Sequence, residues 1–292
     1  MRESIMVKDG NHTIDGKTLQ NDNVFVNSSI ELLNKLTGMQ TRRGLECAVI
    51  SNNKLVNVVS DSYGHLPNEK FFIEVERKLI DADIQYVTRA INREDRSFVV
   101  DYILSDESYH IAVKGKQDII RPMLRFTNSY DGSCKTSGHF GFYRKVCSNG
   151  LHVSQWNIGF SVKHRGNIVE IVLPEIGSLV NKFMDNEYFT LQKKFEVLAE
   201  RPIADLAQFV KYVCDKTALF QYEKSEKNPD PSLNARIVMD TVNAEARLLG
   251  GKPSLWLGYN AFNELLHGKL QKTFEAQKKL DGKLFETVLS LS

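Results

Sequence analysis

The period of the apolar residues changes once along this chain, near residue 168. Before that point, short segments alternate apolar and polar residues, as in "RPMLRFTNSY", where Leu124 and Phe126 oppose Arg121 and Arg125. After it, segments such as "SLWLGYNAFNELLHGKL" carry apolar residues at three- and four-residue spacing, which is typical of amphipathic helices. The order predicts an α+β fold, with N-terminal antiparallel β-hairpins and interspersed helices followed by a C-terminal helical half.

Turn signals divide the first half into hairpins. The stretch "SYDGSCKTSGHFGFYRKVCSNG" contains Asp131-Gly132 and Asn149-Gly150, with the alternating segment "GHFGFYRKV" between them. Both dipeptides accept positive φ, so they favour tight turns between strands. A further hairpin is expected at Asn52-Asn53, which separates two β-branched runs.

Composition predicts three segments in the 292 residues. Residues 1–26 form a polar arm, residues 27–168 form an α+β domain with a basic and aromatic sheet, and residues 169–292 form a helical region that packs on it. Four cysteines without a C-x-x-C pair argue against a disulfide framework. No apolar stretch approaches the roughly 18 residues needed to span a bilayer, so we expect a cytoplasmic protein without a membrane partner.

Positive charge is concentrated in the middle of the chain. Overall, 38 basic residues nearly balance 36 acidic ones, but residues 111–165 contain nine basic residues and only Asp118 and Asp131 as acidic ones. Cations follow a phosphate backbone and flat rings stack on bases, so the stretch favours binding of single-stranded DNA or RNA. The candidate contacts are Arg121, Arg125, Tyr130, Lys135, Tyr143, Arg144, Lys145, Trp156, Lys163 and Arg165. The alternative is an ordinary solvated sheet face.

Strand alternation sharpens this interpretation. His139, Tyr143 and Lys145 would share one face of a strand, whereas Phe140 and Phe142 would share the other. One face is therefore expected to enter the core, and the other to present a basic and aromatic surface.

Motifs for catalysis are weak. "GNHTIDGKT" places five residues between its glycines where a phosphate-binding loop needs four, and we find no zinc-protease, nucleophile-elbow or dinucleotide motif. Asp131 with His139, or Cys147 with His152, could pair across a hairpin, but turn chemistry already explains Asp131 and packing already explains Cys147. We therefore assign no catalytic residue and expect no cofactor.

One arrangement has the residue types of a zinc site. Cys134, His139, Cys147 and His152 form two C-x4-H pairs, but odd separations on a strand point to opposite faces. Small buried cysteines and partly exposed histidines are the alternative interpretation.

Three segments resemble the phage- and plasmid-like proteins grouped as domain of unknown function 932. The central one is "IIRPMLRFTNSYDGSCKTSGHFGFYRKVCSNGL", in which the N-S-Y-D-G-S and V-C-S-N-G-L patterns match. Upstream "VVSDSYGHLPNEKFF" is similar to the strand, loop and helix entry of that family. Downstream "LWLGYNAFNELLH" is similar to its closing W-x-x-Y-N-A-x-N-x-x-x-H helix. The resemblance covers about residues 45–268.

The resemblance implies a phage or plasmid origin and a role in DNA metabolism. Size and α+β layout are similar to those of single-strand annealing recombinases of the RecT and Erf kind, which implies a homo-oligomer in the host cytoplasm. The leading hypothesis is a single-stranded DNA-binding protein that pairs complementary strands. The rival is a protein-interaction role, as an inhibitor of a host defence system or a virion subunit. A metal-dependent nuclease is a third hypothesis.

Overall fold

The computed structural model describes residues 6–8, 13–15, 24–106, 111–113, 118–144, 150–151, 159–184, 189–225, 227–270, 272 and 274–292. Strands dominate the first part and helices the last, so the predicted α+β class is confirmed. The strands are β1 (Met6–Lys8), β2 (Thr13–Asp15), β3 (Ser28–Leu32), β4 (Cys47–Ser51), β5 (Lys54–Val59), β6 (Tyr86–Arg93), β7 (Ser97–Leu104), β8 (Ile111–Val113), β9 (Asp118–Ser129), β10 (Thr136–Arg144), β11 (Gly150–Leu151), β12 (Gly159–Val162), β13 (Glu223–Ser225) and β14 (Asn228–Pro231). The helices are α1 (Leu33–Thr37), α2 (Asn68–Asp81), α3 (Ile168–Met184), α4 (Phe189–Glu200), α5 (Leu206–Thr217), α6 (Leu233–Leu248), α7 (Leu255–Gly268) and α8 (Phe274–Leu289).

The chain divides into two compact units whose segments interleave. Unit 1 comprises residues 1–108, 123–140 and 158–186, and unit 2 comprises residues 109–122, 141–157 and 187–292. Strands β9 and β10 each contribute residues to both units. Helix α3, which the apolar spacing places in the helical half, belongs to unit 1.

An antiparallel sheet forms the centre of unit 1, with β6, β7, β9, β10 and β12 as neighbours in that order. Leu124 and Phe126 of β9 are fully buried, as the alternation predicts. The ring of Phe126 packs edge-on against Phe71 of α2 and lies 6.3 Å from Phe160 of β12. Gly138 of β10 leaves room for this packing, since a Cβ there would lie 2.5 Å from Phe160 and 2.7 Å from Phe126.

A smaller three-stranded sheet in unit 1 has the order β3-β4-β5. Its β4–β5 turn is the hairpin predicted at Asn52-Asn53, and both residues adopt positive φ, 49° and 62°. The first predicted turn of the central stretch, at Asp131-Gly132, is also present, because Gly132 has a φ of +73° between β9 and β10. Asn149 lies outside the described residues.

Helices α4 to α8 form most of unit 2, together with the ends of β9 and β10. Three of these helices begin at a side-chain cap, where Asp205, Ser232 and Ser254 accept hydrogen bonds from backbone N–H groups of α5, α6 and α7. Aromatic rings fill the core, with Phe195 of α4 packed 4.8 Å from the ring of Trp256. Across the described chain, every helix is too short or too polar to cross a bilayer.

Candidate nucleic-acid interface

The predicted contact residues differ widely in exposure. Lys163 and Arg165 are exposed, whereas Arg121, Lys135 and Tyr143 are half-buried. Tyr130 and Arg144 are fully buried, and only 11% of the Arg125 side chain is exposed. The remaining candidates Lys145 and Trp156 lie outside the described residues, as do Cys147 and His152.

Arg125 forms an ion pair on the unit 1 sheet. It stands directly opposite Asp101 of β7, and its Nε and Nη2 atoms donate to the two carboxylate oxygens, the second bond measuring 2.7 Å. Asp101 is fully buried and only 11% of the Arg125 side chain is exposed. Bidentate pairing uses the guanidinium edge that would otherwise bind phosphate. The expectation that Arg125 stands on a solvated surface is therefore wrong.

Tyr130 points into the core of unit 1. Its hydroxyl accepts the backbone N–H of Asn68 at 2.8 Å, and its ring packs edge-on against Phe98 with 5.0 Å between ring centroids. Burial raises the pKa of Tyr130 to about 12. A ring with no exposed surface cannot stack on a base, so the prediction that Tyr130 lies on a solvated face is also wrong.

Arg144 is fully buried in unit 2. It lies on the same side of β10 as Phe142, the side that alternation assigns to the core. Its Nε donates to Asp118 at 2.8 Å, and its Nη1 donates to Glu245 at 2.7 Å. The expectation of a phosphate contact here fails for the same reason as at Arg125, because internal carboxylates occupy the guanidinium.

Burial and charge compete at this second ion pair. Burial raises the pKa of Glu245, and the nearby Arg144 only partly offsets that effect. Two carboxylates thus share one guanidinium in an interior where unpaired charge is costly. The arrangement fixes β9, β10 and α6 of unit 2 together and presents no surface charge.

The candidate metal and catalytic residues have structural roles where they are described. Cys134 is 6% exposed in the turn after β9, and Asp131 accepts the backbone N–H of Ser133 at 2.9 Å, as in an Asx turn. Over the residues that the structure describes, no three His, Cys, Asp or Glu side chains group together in a way that could hold a metal ion. His139 lies half-buried on β10.

Three cations remain at the surface of unit 1, and we call Lys135, Lys163 and Arg165 the loop cluster. Thr136 pairs with Val162 at the end of the β10–β12 ladder, and Lys135 and Lys163 are the next residues of the two strands beyond that pair. Among the described residues, no carboxylate lies within ion-pair distance of any of the three.

A buried histidine holds the loop cluster in place. His164 lies between Lys163 and Arg165 and contacts the carbonyl of Gly64 at 3.2 Å through Nδ1. Its ring stacks on Tyr63, with centroids 5.3 Å apart and planes 9° from parallel. Burial lowers the pKa of His164. The backbones approach so closely that a Cβ at Gly64 would meet the carbonyl oxygen of Gly166 at 2.8 Å, which explains the glycine.

A profile of the family described as Domain of unknown function (DUF932) matches residues 55–283 of the chain. The chain belongs to the DUF932 family. No curated protein and no solved structure matches it. The resemblance seen in the three sequence segments is thereby confirmed at the level of the family.

Two of the DUF932-like segments meet in a buried hydrogen-bond network of unit 1. Asn128 donates to the carbonyl of Leu66 at 2.9 Å and to the side chain of Asn68 at 2.8 Å. Its own side-chain oxygen accepts the hydroxyl of Thr136 at 2.8 Å. The network joins the loop before α2 to β9 and β10, so these motif residues have a structural role beneath the loop cluster.

Tyr63 is a surface residue of this DUF932 protein that reasoning from the sequence did not select. Its ring is half-buried beside the loop cluster, and burial, followed by the charge of Asp131, raises its pKa well above the ordinary tyrosine value. The sequence could have indicated this residue, because Tyr63 lies directly before Gly64 in the DUF932-like segment "VVSDSYGHLPNEKFF". Two acidic residues, Asp61 and Asp131, lie in the loops that carry Tyr63 and Lys135. Together with the three cations of the loop cluster they give a net charge of three minus two, or +1.

Proposed function

We propose that this protein binds single-stranded DNA without sequence preference, through phosphate contacts made by the loop cluster of unit 1. The observation that carries the proposal is the placement of Lys135 and Lys163 directly beyond the last pair of one ladder, with Arg165 two residues on and with no described carboxylate within ion-pair distance. Unpaired cations on neighbouring backbone positions can neutralise consecutive phosphates and release their counterions. The proposal includes a phage or plasmid origin and a cytoplasmic location.

The rigid backbone beneath the cluster favours a preformed contact. His164 fixes the segment that carries Lys163 and Arg165, so little backbone ordering is needed when a phosphate binds. The ring of Tyr63 is half-buried and stacks on His164, and its exposed part is the proposed contact for an unpaired base. Annealing of complementary strands by a homo-oligomer is a further part of the proposal, and it needs no nucleotide hydrolysis because pairing is downhill.

Fluorescence anisotropy with a labelled oligo-dT of about 30 nucleotides tests the proposal. We expect the triple variant Lys135→Ala, Lys163→Ala, Arg165→Ala to bind about 10–100-fold more weakly than the parent. The matched control is Arg201→Ala, Lys252→Ala, Lys269→Ala, which removes the same charges from exposed positions of unit 2. Equal affinity of the two triple variants would refute the assignment of the loop cluster.

The form of nucleic acid is tested with the same assay. Competition by unlabelled oligo-dT, oligo-U and a duplex of equal length ranks single-stranded DNA, RNA and double-stranded DNA. We expect oligo-dT to compete best. Stronger competition by the duplex would exclude a single-strand binder.

A second candidate is a protein-interaction role, and one specific observation favours it. The end of β3 and its connection to β4 carry four large apolar side chains that are 41–71% exposed, namely Leu32, Leu36, Met39 and Leu45. Helix α1 within it has no buried residue. Exposed apolar side chains on one connection are typical of docking surfaces for proteins.

Affinity capture of host proteins separates the two candidates. If the protein-interaction role is correct, the parent and the loop-cluster triple variant both retain a single stoichiometric partner. The double variant Leu36→Ser, Met39→Ser should no longer retain it. Nucleic-acid binding that survives in the apolar variant and disappears in the triple variant supports the first candidate.

A further inference from the structure

The exposed apolar side chains of unit 1 lie on one short stretch of chain, residues 32–45, which we call the β3–β4 segment. Helix α1 lies within it and has no buried residue. The most exposed of its apolar side chains is Met39, at 71%, followed by Leu36, at 49%. Apolar side chains that are exposed together on one segment mark a surface that binds a partner.

The β3–β4 segment is also strongly basic. It contains Lys35, Arg42 and Arg43 and no acidic residue, so its net charge is three minus zero, or +3. All three cations are exposed. In the part of the chain that the structure describes, none of the three side chains forms an ion pair or a hydrogen bond. The partner that fits this segment therefore carries negative charge as well as apolar surface.

The β3–β4 segment is anchored at the same end of the small sheet as the loop that supports the loop cluster. Cys47, the first residue of β4, pairs with Leu32 on one side and with Val59, the last residue of β5, on the other. From Val59 the chain continues to Gly64, whose carbonyl lies 3.2 Å from Nδ1 of His164. The two basic surfaces of unit 1 thus begin from the same end of one sheet.

We propose that the β3–β4 segment is a wedge that inserts Leu36 and Met39 between bases, while its three cations contact the neighbouring phosphates. The inference rests on the proposed DNA binding and names a second contact for the same ligand. Leucine and methionine are among the side chains that DNA-binding proteins insert between bases, and lysine and arginine accompany them on the backbone. Unstacked bases are then presented to a complementary strand.

An anionic lipid surface is the other partner that combines negative charge with apolar contact. Binding to such a surface grows with the apolar area that is buried in it, and an interfacial helix supplies that area as a long apolar face. Helix α1 has only five residues. The short segment therefore favours insertion between bases over insertion into lipid.

Fluorescence of 2-aminopurine, a base analogue that brightens when it is unstacked, tests the wedge. The full chain is titrated into a single-stranded adenine oligonucleotide with 2-aminopurine at its centre, and we expect the fluorescence to rise to a plateau on binding. The double variant Leu36→Ser, Met39→Ser should still bind, with an unchanged salt dependence, but should lose the rise. Arg42→Ala, Arg43→Ala should lower the slope of log affinity against log salt by about 1.4.

A matched control removes exposed apolar side chains from another place. Leu233→Ser, Leu248→Ser changes two residues of unit 2 that are 65% and 73% exposed, and it should keep the full rise in fluorescence. Retention of the parent by phosphatidylglycerol vesicles, lost in the double variant of the β3–β4 segment and without any fluorescence change on DNA, would overturn the wedge in favour of lipid.

The outcomes distinguish the wedge from the DNA binding on which it rests. A parent that binds the oligonucleotide without a rise in fluorescence, or an equal rise in Leu36→Ser, Met39→Ser, would overturn the wedge and leave the contacts of the loop cluster intact. A parent that does not bind the oligonucleotide would overturn both.

Discussion

The indole N–H of Trp256 donates to the carboxylate of Asp118 at 2.8 Å, joining α7 to β9 within unit 2 across 138 positions of sequence. The same carboxylate accepts Arg144, whose guanidinium lies 5.8 Å from the centre of the Trp256 ring. The indole and the guanidinium together satisfy a carboxylate that is 1% exposed. Trp256, the first residue of the closing motif, therefore has a structural role in the core of unit 2.

The rest of the closing motif binds a second buried carboxylate. Asp281 of α8 is fully buried and accepts the hydroxyl of Tyr259 at 3.0 Å and the amide of Asn263 at 2.8 Å. His267 lies 3.4 Å from the other oxygen of Asp281. These three residues follow one stripe of α7, because spacings of four residues return to the same helix face. The motif is explained by helix packing in unit 2.

Removal of Arg144 should destabilise the protein strongly. Arg144→Ala leaves Asp118 and Glu245 facing each other in the interior without a cation, so we expect a loss of about 3–5 kcal/mol in the free energy of unfolding. Urea denaturation followed by far-ultraviolet circular dichroism measures it. Arg201→Ala, at an exposed site, should change the same quantity by less than about 0.5 kcal/mol. A loss of similar size in both variants would contradict the buried network.

Arg125 should behave as part of the fold and not as a DNA contact. We expect Arg125→Ala to lower the melting temperature, because Asp101 loses the guanidinium that pairs with it and stays buried. The salt dependence of DNA binding should be unchanged for the folded variant. A weaker salt dependence with an unchanged melting temperature would restore Arg125 as a phosphate contact.

The sequence alternation on β9 and β10 predicts which side chains enter the core, and this prediction is confirmed at Leu124, Phe126, Phe140 and Phe142, which are all buried. The same rule places Arg144 with Phe142 on the core side, so its burial was available from the pattern. Its partners were not, because Asp118 and Glu245 lie 26 and 101 positions away. Local periodicity specifies which face a side chain takes, whereas long-range pairing decides whether a charge on that face is neutralised.

Two glycines of unit 1 should respond in opposite directions to a methyl group. At Gly138 a Cβ would meet Phe160, Phe126 and Leu179 at 2.5–2.8 Å, so Gly138→Ala should cost about 1–3 kcal/mol. At Gly177 the nearest atom is Cε of Lys78 at 3.5 Å, an ordinary contact in the interior of α3. Gly177→Ala should therefore stabilise by about 0.5–1 kcal/mol. Urea midpoints of both variants check the pair, and a tolerated Gly138→Ala would contradict the packing.

His65 should make unit 1 sensitive to acid. Burial lowers the pKa of His65 from 6.5 to about 4, a bond to Ser28 partly offsets this, and nearby His164 adds to it. Between pH 6.5 and 4 the unfolded chain binds a proton that the folded chain does not, so stability falls as pH decreases. His65→Gln should reduce the difference in unfolding free energy between pH 7 and pH 4.5. An unchanged difference would exclude His65 as its source.

The salt dependence of single-stranded DNA binding tests the central claim most directly. For the parent, log affinity should fall linearly with log salt concentration, with each neutralised phosphate contributing about 0.7 to the slope. We predict that removing Lys135, Lys163 and Arg165 together lowers the slope by about 2, whereas removing Arg201, Lys252 and Lys269 leaves it unchanged. A parent that does not bind, or a slope that is the same in both triple variants, would contradict the account.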